Sequence, residues 1–394
     1  LRRTPAPGSS FDAFRIRKKE VDHSMGGLKK FAVLGSGNGG MAFAAQIAAK
    51  GYPVVMFKPR DMTEDFIKLN ETREMFLEGD ITCGGKILGV TNDMAEAARG
   101  TDVFFVVLPS FAHELVFEKL IPFLRDGQHV VIVPGNFGGF LLKKMMADAG
   151  CKADVAVSET SSLPYACRTA RFDTVMVYKR KFRLKLGTCP VSKNEEALNI
   201  INDCFGGYIE FFPASSILEM DFDNVNYTLH PMPVLLNYGD IEKNPKTFRH
   251  YMDGITPLVS EKMMQMDSER LAAGKKLGLE LMPIMDQLKM YYGHNSTETI
   301  YEYANSPESP YKDIVGHGVR SRYLTEDVPF SMVPCKFIGE KAGYPMPVVD
   351  LVIRMASFLH DTDYVAQGHT LEKLGLDKMT LEELKEYART GEVS

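Results

Sequence analysis

Residues Phe31-Ala32-Val33-Leu34 run directly into Gly35-Ser36-Gly37-Asn38-Gly39-Gly40, and an Ala-rich stretch from Met41 to Lys50 follows. Four consecutive apolar residues suit a strand buried on both faces. Phe43 and Ile47, four apart, suit a helix that Gly51 ends. A Gly-x-Gly-x-x-Gly spacing alone is often only a flexible turn. Between a strand and a helix it has a mechanism: Gly35 permits the tight turn, Gly37 lets the backbone approach a pyrophosphate, and Gly40 lets helix and strand pack closely. Free N–H groups and the positive end of the helix dipole then receive the phosphates. The stretch predicts a dinucleotide site over Gly35, Ser36, Gly37, Asn38, Gly39 and Gly40.

A second strand is expected over Pro53 to Phe57. An NAD-preferring site places Asp or Glu at the end of this strand, ~20 residues after the glycines, to bind the ribose 2′-hydroxyl. Here the chain reads Phe57-Lys58-Pro59-Arg60. Lys58 and Arg60 can pair with a 2′-phosphate, which favours NADP over NAD; the plainer reading is two solvated cations. Residues 61–80 read as mostly helical, Ile81 to Val90 as a short hairpin, and Met94 to Ala98 as a helix. The runs 103–108, 130–133 and 154–157 read as buried strands, and Thr174 to Tyr178 and Phe182 to Leu186 as two more. Strands alternating with helical segments imply a Rossmann-type, doubly wound parallel sheet whose ligands lie beyond the carboxyl ends of the strands. Those ends carry Pro109-Ser110-Phe111, Pro134-Gly135-Asn136 and Glu159-Thr160-Ser161-Ser162.

From Lys193 onwards long helical patterns take over: 195–203, 260–276, 284–292 and 345–359, with a capping box at Thr380-Leu381-Glu382-Glu383. The expected organisation is α/β: a tail or leader over 1–30, a dinucleotide-binding domain over 31–190, and an all-helical C-terminal domain over 191–394. Basic residues among Pro, Gly and Ser give the first segment no apolar period. Met25 stands where a start fits, and Asp12, Glu20 and Asp22 argue against a transit peptide.

The net charge of -5 argues against nucleic-acid binding. No stretch approaches the roughly 20 apolar residues that span a membrane. Six scattered cysteines without a Cys-x-x-Cys pair suggest reduced thiols, a cytoplasmic location and no metal site.

A nucleotide domain only binds a cofactor, so the helical half must bring the acid–base group. His230 lies in Asn224-Val225-Asn226-Tyr227-Thr228-Leu229-His230-Pro231-Met232-Pro233. Pro231 disfavours a regular helix at His230. An imidazole suits proton transfer near neutral pH, although on these residues alone a core histidine bonded to a backbone carbonyl is the stronger reading.

Four stretches resemble the opine dehydrogenases, the octopine and nopaline dehydrogenase family, including bacterial members that join pyruvate to norvaline-type amino acids. They are Leu34 to Gly40, Glu159-Thr160-Ser161-Ser162-Leu163-Pro164-Tyr165-Ala166-Cys167-Arg168, Asn224 to Pro233, and Arg322-Tyr323-Leu324-Thr325-Glu326-Asp327-Val328-Pro329. Thr370-Leu371-Glu372-Lys373-Leu374-Gly375 is similar to the bacterial branch. The resemblance implies condensation of an amino acid's α-amino group with a 2-oxo acid and reduction of the imine by NAD(P)H, in a cleft between two domains. It implies His230 as acid–base residue, Asp327 as its orienting partner and Arg322 as a substrate-carboxylate contact. It also places the oxo acid near Asn136 and Thr160; Pro109, at the end of its strand, is expected beside the cofactor from position alone. Two rivals stand beside it: a two-domain NADP-dependent 2-oxo acid (ketopantoate-type) reductase, and a non-catalytic NADP(H)-sensing protein. Tyr227, Met232, Tyr238 and Tyr251 are candidates for lining the amine pocket. The Met-rich stretch at Met263, Met264 and Met266 reads as either core or a face of a homodimer.

Overall fold

In the computed structural model the described residues are 29–293, 296–311, 314–316 and 318–392. The expected leader therefore lies outside them, except for Lys29 and Lys30. Twelve strands form two sheets: β1 (Phe31–Leu34), β2 (Val54–Phe57), β3 (Glu74–Gly79), β4 (Cys83–Lys86), β5 (Gly89–Thr91), β6 (Val103–Val106), β7 (His129–Ile132), β8 (Ala156–Thr160), β9 (Tyr165–Arg171), β10 (Thr174–Arg180), β11 (Arg183–Cys189) and β12 (Glu210–Pro213). The main sheet runs β12-β11-β8-β7-β6-β1-β2-β5. From β5 to β8 every pairing is parallel, and β11 turns antiparallel against β8. The apolar runs sit here because helices and loops cover both faces; all four residues of β1, β2, β6 and β7 are buried.

The helix Asn38–Ala49 buries every residue from Gly39 to Ala48. A second sheet, β4-β3-β10-β9, covers the side of this helix that a simpler fold leaves to solvent. A Cβ on Gly85 of β4 would lie 2.4 Å from the Ala48 backbone, so sheet and helix touch main chain to main chain. Alanines suit a helix held between two sheets, where larger side chains have no room.

This second sheet corrects the reading of residues 61–80. The helix there stops at Thr72, with Arg73 left-handed (φ 56°). β3 follows because Met75 and Leu77 point inward while Glu74 and Phe76 point outward, a period of two and not of 3.6. The expected hairpin over 81–90 is instead split: β4 returns onto β3, and β5 joins the main sheet.

The sheet also continues past residue 190. The helix Asn194–Phe205 lays Ala197, Ile200, Ile201, Cys204 and Phe205 on it and returns the chain to β12. Beyond Pro213 the described chain is helical, apart from an isolated bridge between Arg249 and Val315. Its longest helix is Pro257–Leu277, which buries Met263 and Met266 completely, so the Met-rich stretch is core. Arg270 of this helix is 1% exposed and ties the halves together. It donates to Asp267 and Asp223 at 2.8 Å and to the Phe222 carbonyl at 3.1 Å, while Lys185 of β11 reaches Asp223 at 2.8 Å. No described helix is long and apolar enough to cross a membrane.

Candidate active site

The glycine turn has the geometry its spacing predicts. Gly35 adopts φ +136°, a conformation that side chains disfavour, and its N–H donates to Phe57 at 3.0 Å. A Cβ on Gly35 would lie 2.2 Å from the Val107 carbonyl oxygen, and one on Gly40 would lie 2.2 Å from that of Gly35. A Cβ on Gly37 would meet nothing within 4 Å. Gly37 is exposed and caps the helix without a side-chain acceptor, so the first-turn N–H groups are open to an anion. Ser36 is half-buried at the same edge. Asn38 instead accepts from the Thr169 N–H and hydroxyl, both at 2.9 Å, and anchors β9. At the end of β2, Lys58 is buried with its ammonium 5.4 Å from the Phe66 ring centre, and Arg60 is exposed.

Helical-domain segments lie over the neighbouring strand ends. His230 stands where the short helix Asn226–Leu229 gives way to Pro231–Leu236, with the proline at the first position of the second helix. Its Nδ1 is 2.7 Å from Asp327 Oδ2, and its Nε2 is 3.1 Å from the Tyr251 hydroxyl. The Tyr323 ring stacks on the imidazole at 4.0 Å. Asp327 directly precedes the π-helical segment Val328–Met332, the kind of helical irregularity that aims a side chain out of the regular ladder. Burial pushes the Asp327 carboxyl up, Glu326 beside it adds to this, and the Arg322 guanidinium opposes it. With Asp327 accepting from Nδ1–H, Nε2 is on the other side of the ring, beside the Tyr251 hydroxyl.

Arg322 is 60% exposed and bonds Glu326 through Nε. Glu326 is 3% exposed, and its other oxygen accepts from the Ser110 N–H at 3.0 Å and hydroxyl at 3.2 Å. Ser110 follows Pro109 at the end of β6, so this carboxylate bridges the two domains. Asn136 donates to Ser110 Oγ at 2.8 Å, and its carbonyl accepts from Asn224. Thr160 is buried, and its hydroxyl donates to the Ser162 carbonyl at 3.0 Å, within its own turn.

The turn carrying Asn136 is clamped from three sides. Asn136 and Phe137 are both left-handed, at φ 50° and 62°, a strained pair that surrounding bonds must hold. The Phe137 N–H donates to Asp221 at 2.6 Å, the Gly139 N–H to Glu159 at 2.5 Å, and His369 Nδ1 to the Asn136 carbonyl at 3.0 Å. Burial drives His369 down to about 3, so it acts as a neutral donor. Glu159 and Asp221 hydrogen-bond each other in the interior; burial pushes Glu159 up to about 7 and Asp221 well up. Two adjacent buried carboxyls share one proton, which leaves a single negative charge at the start of the helix Gly138–Asp148.

The structure thus links Arg322 and Asn136 through Glu326 and Ser110, with the His230–Asp327 pair adjoining at Glu326, and Pro109 precedes Ser110 in this network. Tyr227 is wholly buried and Met232 nearly so, while Tyr251 faces the His230 imidazole and Tyr238 is half-buried near His360. Glu326, Ser110, Asn224 and Tyr323, which contact these residues, were not singled out by sequence reasoning. Glu326 and Tyr323 stand in the same stretch as Asp327, so the signal was present without a means of telling which side chain faces inward.

Residues 213–360 match the family model for the NAD/NADP octopine/nopaline dehydrogenase α-helical domain. Residues 30–144 match that for the NAD-dependent glycerol-3-phosphate dehydrogenase N-terminus. An opine dehydrogenase of Arthrobacter sp. (strain 1C) is 33% identical over 89% of this chain and 96% of its own. The chain belongs to the opine dehydrogenase family. Vitopine synthase of Allorhizobium ampelinum is 27% identical, over 89% of this chain and 96% of its own. Octopine dehydrogenase solved with NADH and L-arginine shares the fold at a TM-score of 0.76 and 21% identity, covering 92% of this chain and 98% of its own. A yersinopine dehydrogenase solved with NADP+ aligns at a TM-score of 0.67 and 14% identity, with the same coverage.

This opine dehydrogenase is therefore an NAD(P)-dependent oxidoreductase acting on the CH–NH group of its donors. The open space over Gly37 and the uncapped helix start fit a dinucleotide pyrophosphate. Among the described residues no group of three or more His, Cys, Asp or Glu side chains could hold a metal ion.

Proposed function

We propose that this chain joins the α-amino group of an amino acid to a 2-oxo acid such as pyruvate and reduces the resulting imine, with His230 as the acid–base residue. The observation that carries this assignment is the His230–Asp327 bond of 2.7 Å, next to the Arg322–Glu326–Ser110–Asn136 network. The amine adds to the keto carbon to give a carbinolamine. His230, protonated at both nitrogens, donates from Nε2 to the departing hydroxyl, which leaves as water and yields the imine in its protonated, iminium form. Asp327 holds the ring by Nδ1–H and stabilises its charge. Reduced nicotinamide, when bound, supplies the hydride that completes the new C–H bond. In the reverse direction neutral His230 takes the proton back. Arg322 offers a planar guanidinium to a substrate carboxylate. Asn136 keeps one amide hydrogen beyond its bond to Ser110, and we assign it to the oxo acid.

Gly35, Gly37, Gly39 and Gly40 shape the cofactor turn, with Ser36, Asn38 and Pro109 at its edge. Lys58 and Arg60 favour NADP(H), because no carboxylate intervenes before Asp61. Six free thiols fit the cytoplasm. Exposed Leu351 and Phe358 on the helix Pro347–His360 support a homodimer.

The test is NADPH and NADH consumption with pyruvate, with and without pooled amino acids. Turnover that requires an amine is expected. Equal turnover without any amine identifies a simple oxo-acid reductase instead.

A further inference from the structure

Two carboxyls are buried where the halves meet: Glu159 on β8 and Asp221 on the helix Ile217–Phe222. Each spends one oxygen on a main-chain N–H of the turn that carries Asn136. Asp221 Oδ1 accepts from Phe137 at 2.6 Å, and Glu159 Oε1 accepts from Gly139 at 2.5 Å. The other two oxygens, Glu159 Oε2 and Asp221 Oδ2, are buried and receive no backbone or side-chain donor among the described residues, apart from what the two carboxyls offer each other. The turn is shaped around Glu159. A Cβ on Gly135 would lie 2.6 Å from its carboxyl carbon, and one on Gly139 would lie 2.8 Å from Oε1.

Two buried carboxylates so placed repel each other, and a single proton between them turns the repulsion into a hydrogen bond that satisfies both orphaned oxygens. No neighbouring cation substitutes for that proton. Arg270 and Lys185, on elements packed against the same helix, are engaged by Asp267, Asp223 and Glu219. Lys143 is directed at the Cys189 thiol. His113 lies beside Gly138 and His369 at the Asn136 carbonyl, and burial holds them neutral, at about 4 and about 3. Burial also pushes the thiols of Cys189 and Cys335 up, so both stay protonated. The same burial pushes both carboxyls up, so the pair keeps its proton near neutral pH and gives it up as the solution becomes alkaline.

We propose that Glu159 and Asp221 form a one-proton latch between the two halves of the chain, and that this latch positions Asn136. With the proton in place, the pair holds the left-handed residues Asn136 and Phe137 through the N–H groups of Phe137 and Gly139. Without it, two like charges press β8 and the helix Ile217–Phe222 apart and release a strained turn. Neither carboxyl touches substrate; both are positioning residues that act through the turn. The inference rests on the opine reading, with Asn136 at the oxo acid.

The test measures the KM for pyruvate and the Ki of oxamate, an isostere that binds without reacting, on the full-length enzyme from about pH 6 to about pH 10. The wild type should lose affinity for both on the alkaline side by about three- to tenfold, the weight of one hydrogen bond. The KM for the reduced cofactor should not follow. Glu159→Gln gives the pair a permanent donor: its amide N–H replaces the shared proton, and its carbonyl still accepts from Gly139. Both constants should then be flat across the alkaline range. Asp221→Asn makes the same exchange from the other side and serves alone should Glu159→Gln fail to fold. A wild type without the alkaline loss overturns the latch. So does a loss that persists in the amide variants, which assigns it to another group such as His230 and leaves the pair a structural tie. Failure of the opine reading looks different: the wild type itself then turns over without an amine.

Discussion

Asp327→Asn removes the charge behind His230 and preserves the shape of the pair, since the asparagine carbonyl can still accept from Nδ1–H. The bond it weakens is 2.7 Å long and joins side chains that are 13% and 7% exposed. Hydrogen bonds to charged groups in such settings contribute about 1.5–3 kcal/mol. At about 1.4 kcal/mol per pH unit, losing that preference for the imidazolium moves its titration down by about 1–2 units. The two directions of the reaction should then respond oppositely. Imine formation needs protonated His230, so the basic limb of its kcat/KM profile should move to lower pH, with a loss of about 10- to 100-fold above the limb. Oxidation of the opine needs neutral His230, so its acidic limb should move the same way and activity should persist at lower pH. The measurement is initial rates in both directions across pH, with the cofactor saturating. Tyr251, Tyr323 and His250 also face the imidazole, and Glu326 adjoins Asp327, but the substitution leaves all four in place. Equal losses in both directions with unmoved limbs would refute the electrostatic role and reduce Asp327 to a steric support.

Four further outcomes follow from the geometry. Gly37→Ala should leave stability unchanged and raise the KM for reduced cofactor, whereas Gly40→Ala, whose methyl would meet the Gly35 carbonyl at 2.2 Å, should cost about 1–3 kcal/mol in urea unfolding. Arg270→Met leaves the buried Asp267 without its cation and Asp223 with Lys185 alone, and should lower stability by about 3–5 kcal/mol in the same assay. Glu159 titrates at about 7 in the fold against an ordinary 4.5, so the native state holds an extra proton between those values. Its contribution is complete below pH 4.5, declines as pH rises, and is gone above 7; Glu159→Gln should flatten that decline in a pH series of thermal midpoints. Arg60→Ala should raise the KM for NADPH by about tenfold and leave that for NADH alone, and no change in the NADPH/NADH ratio would remove Arg60 from the cofactor site.

The nucleotide half was legible wherever the residues bury on both sides. Runs such as Val103 to Val106 have one solution, and Gly35 to Gly40 allow one turn. The second sheet was hidden for a physical reason. Glu74-Met75-Phe76-Leu77 carries both an alternating and a roughly helical apolar spacing, and a nearby helical segment tipped the reading. Only the buried flank of Asn38–Ala49, an interior that must be covered by something, decides for a strand. The end of the sheet was misplaced for a related reason: Asn194–Phe205 looks the same whether it covers a sheet or starts a bundle.

The proposed pair of His230 and Asp327, which the fold brings within 2.7 Å, was picked out through its motifs, since a histidine before a proline and an aspartate beside Glu326 are local signatures. What joins them is not local. Glu326 reaches Ser110 across 216 residues, and Asp221 reaches Phe137 across 84. Both carboxylates end on main-chain N–H groups, which every sequence supplies at every position, so no residue type announces the contact. The same logic explains why the hydroxyls of Thr160 and Ser162 could not be told apart. In the fold Thr160 spends its proton on the Ser162 carbonyl, while Ser162 accepts from Lys181 and keeps its own. A donor left over beside a buried cation is a property of the assembled network. It distinguishes the residue that shapes the turn from the one with a hydrogen still to give.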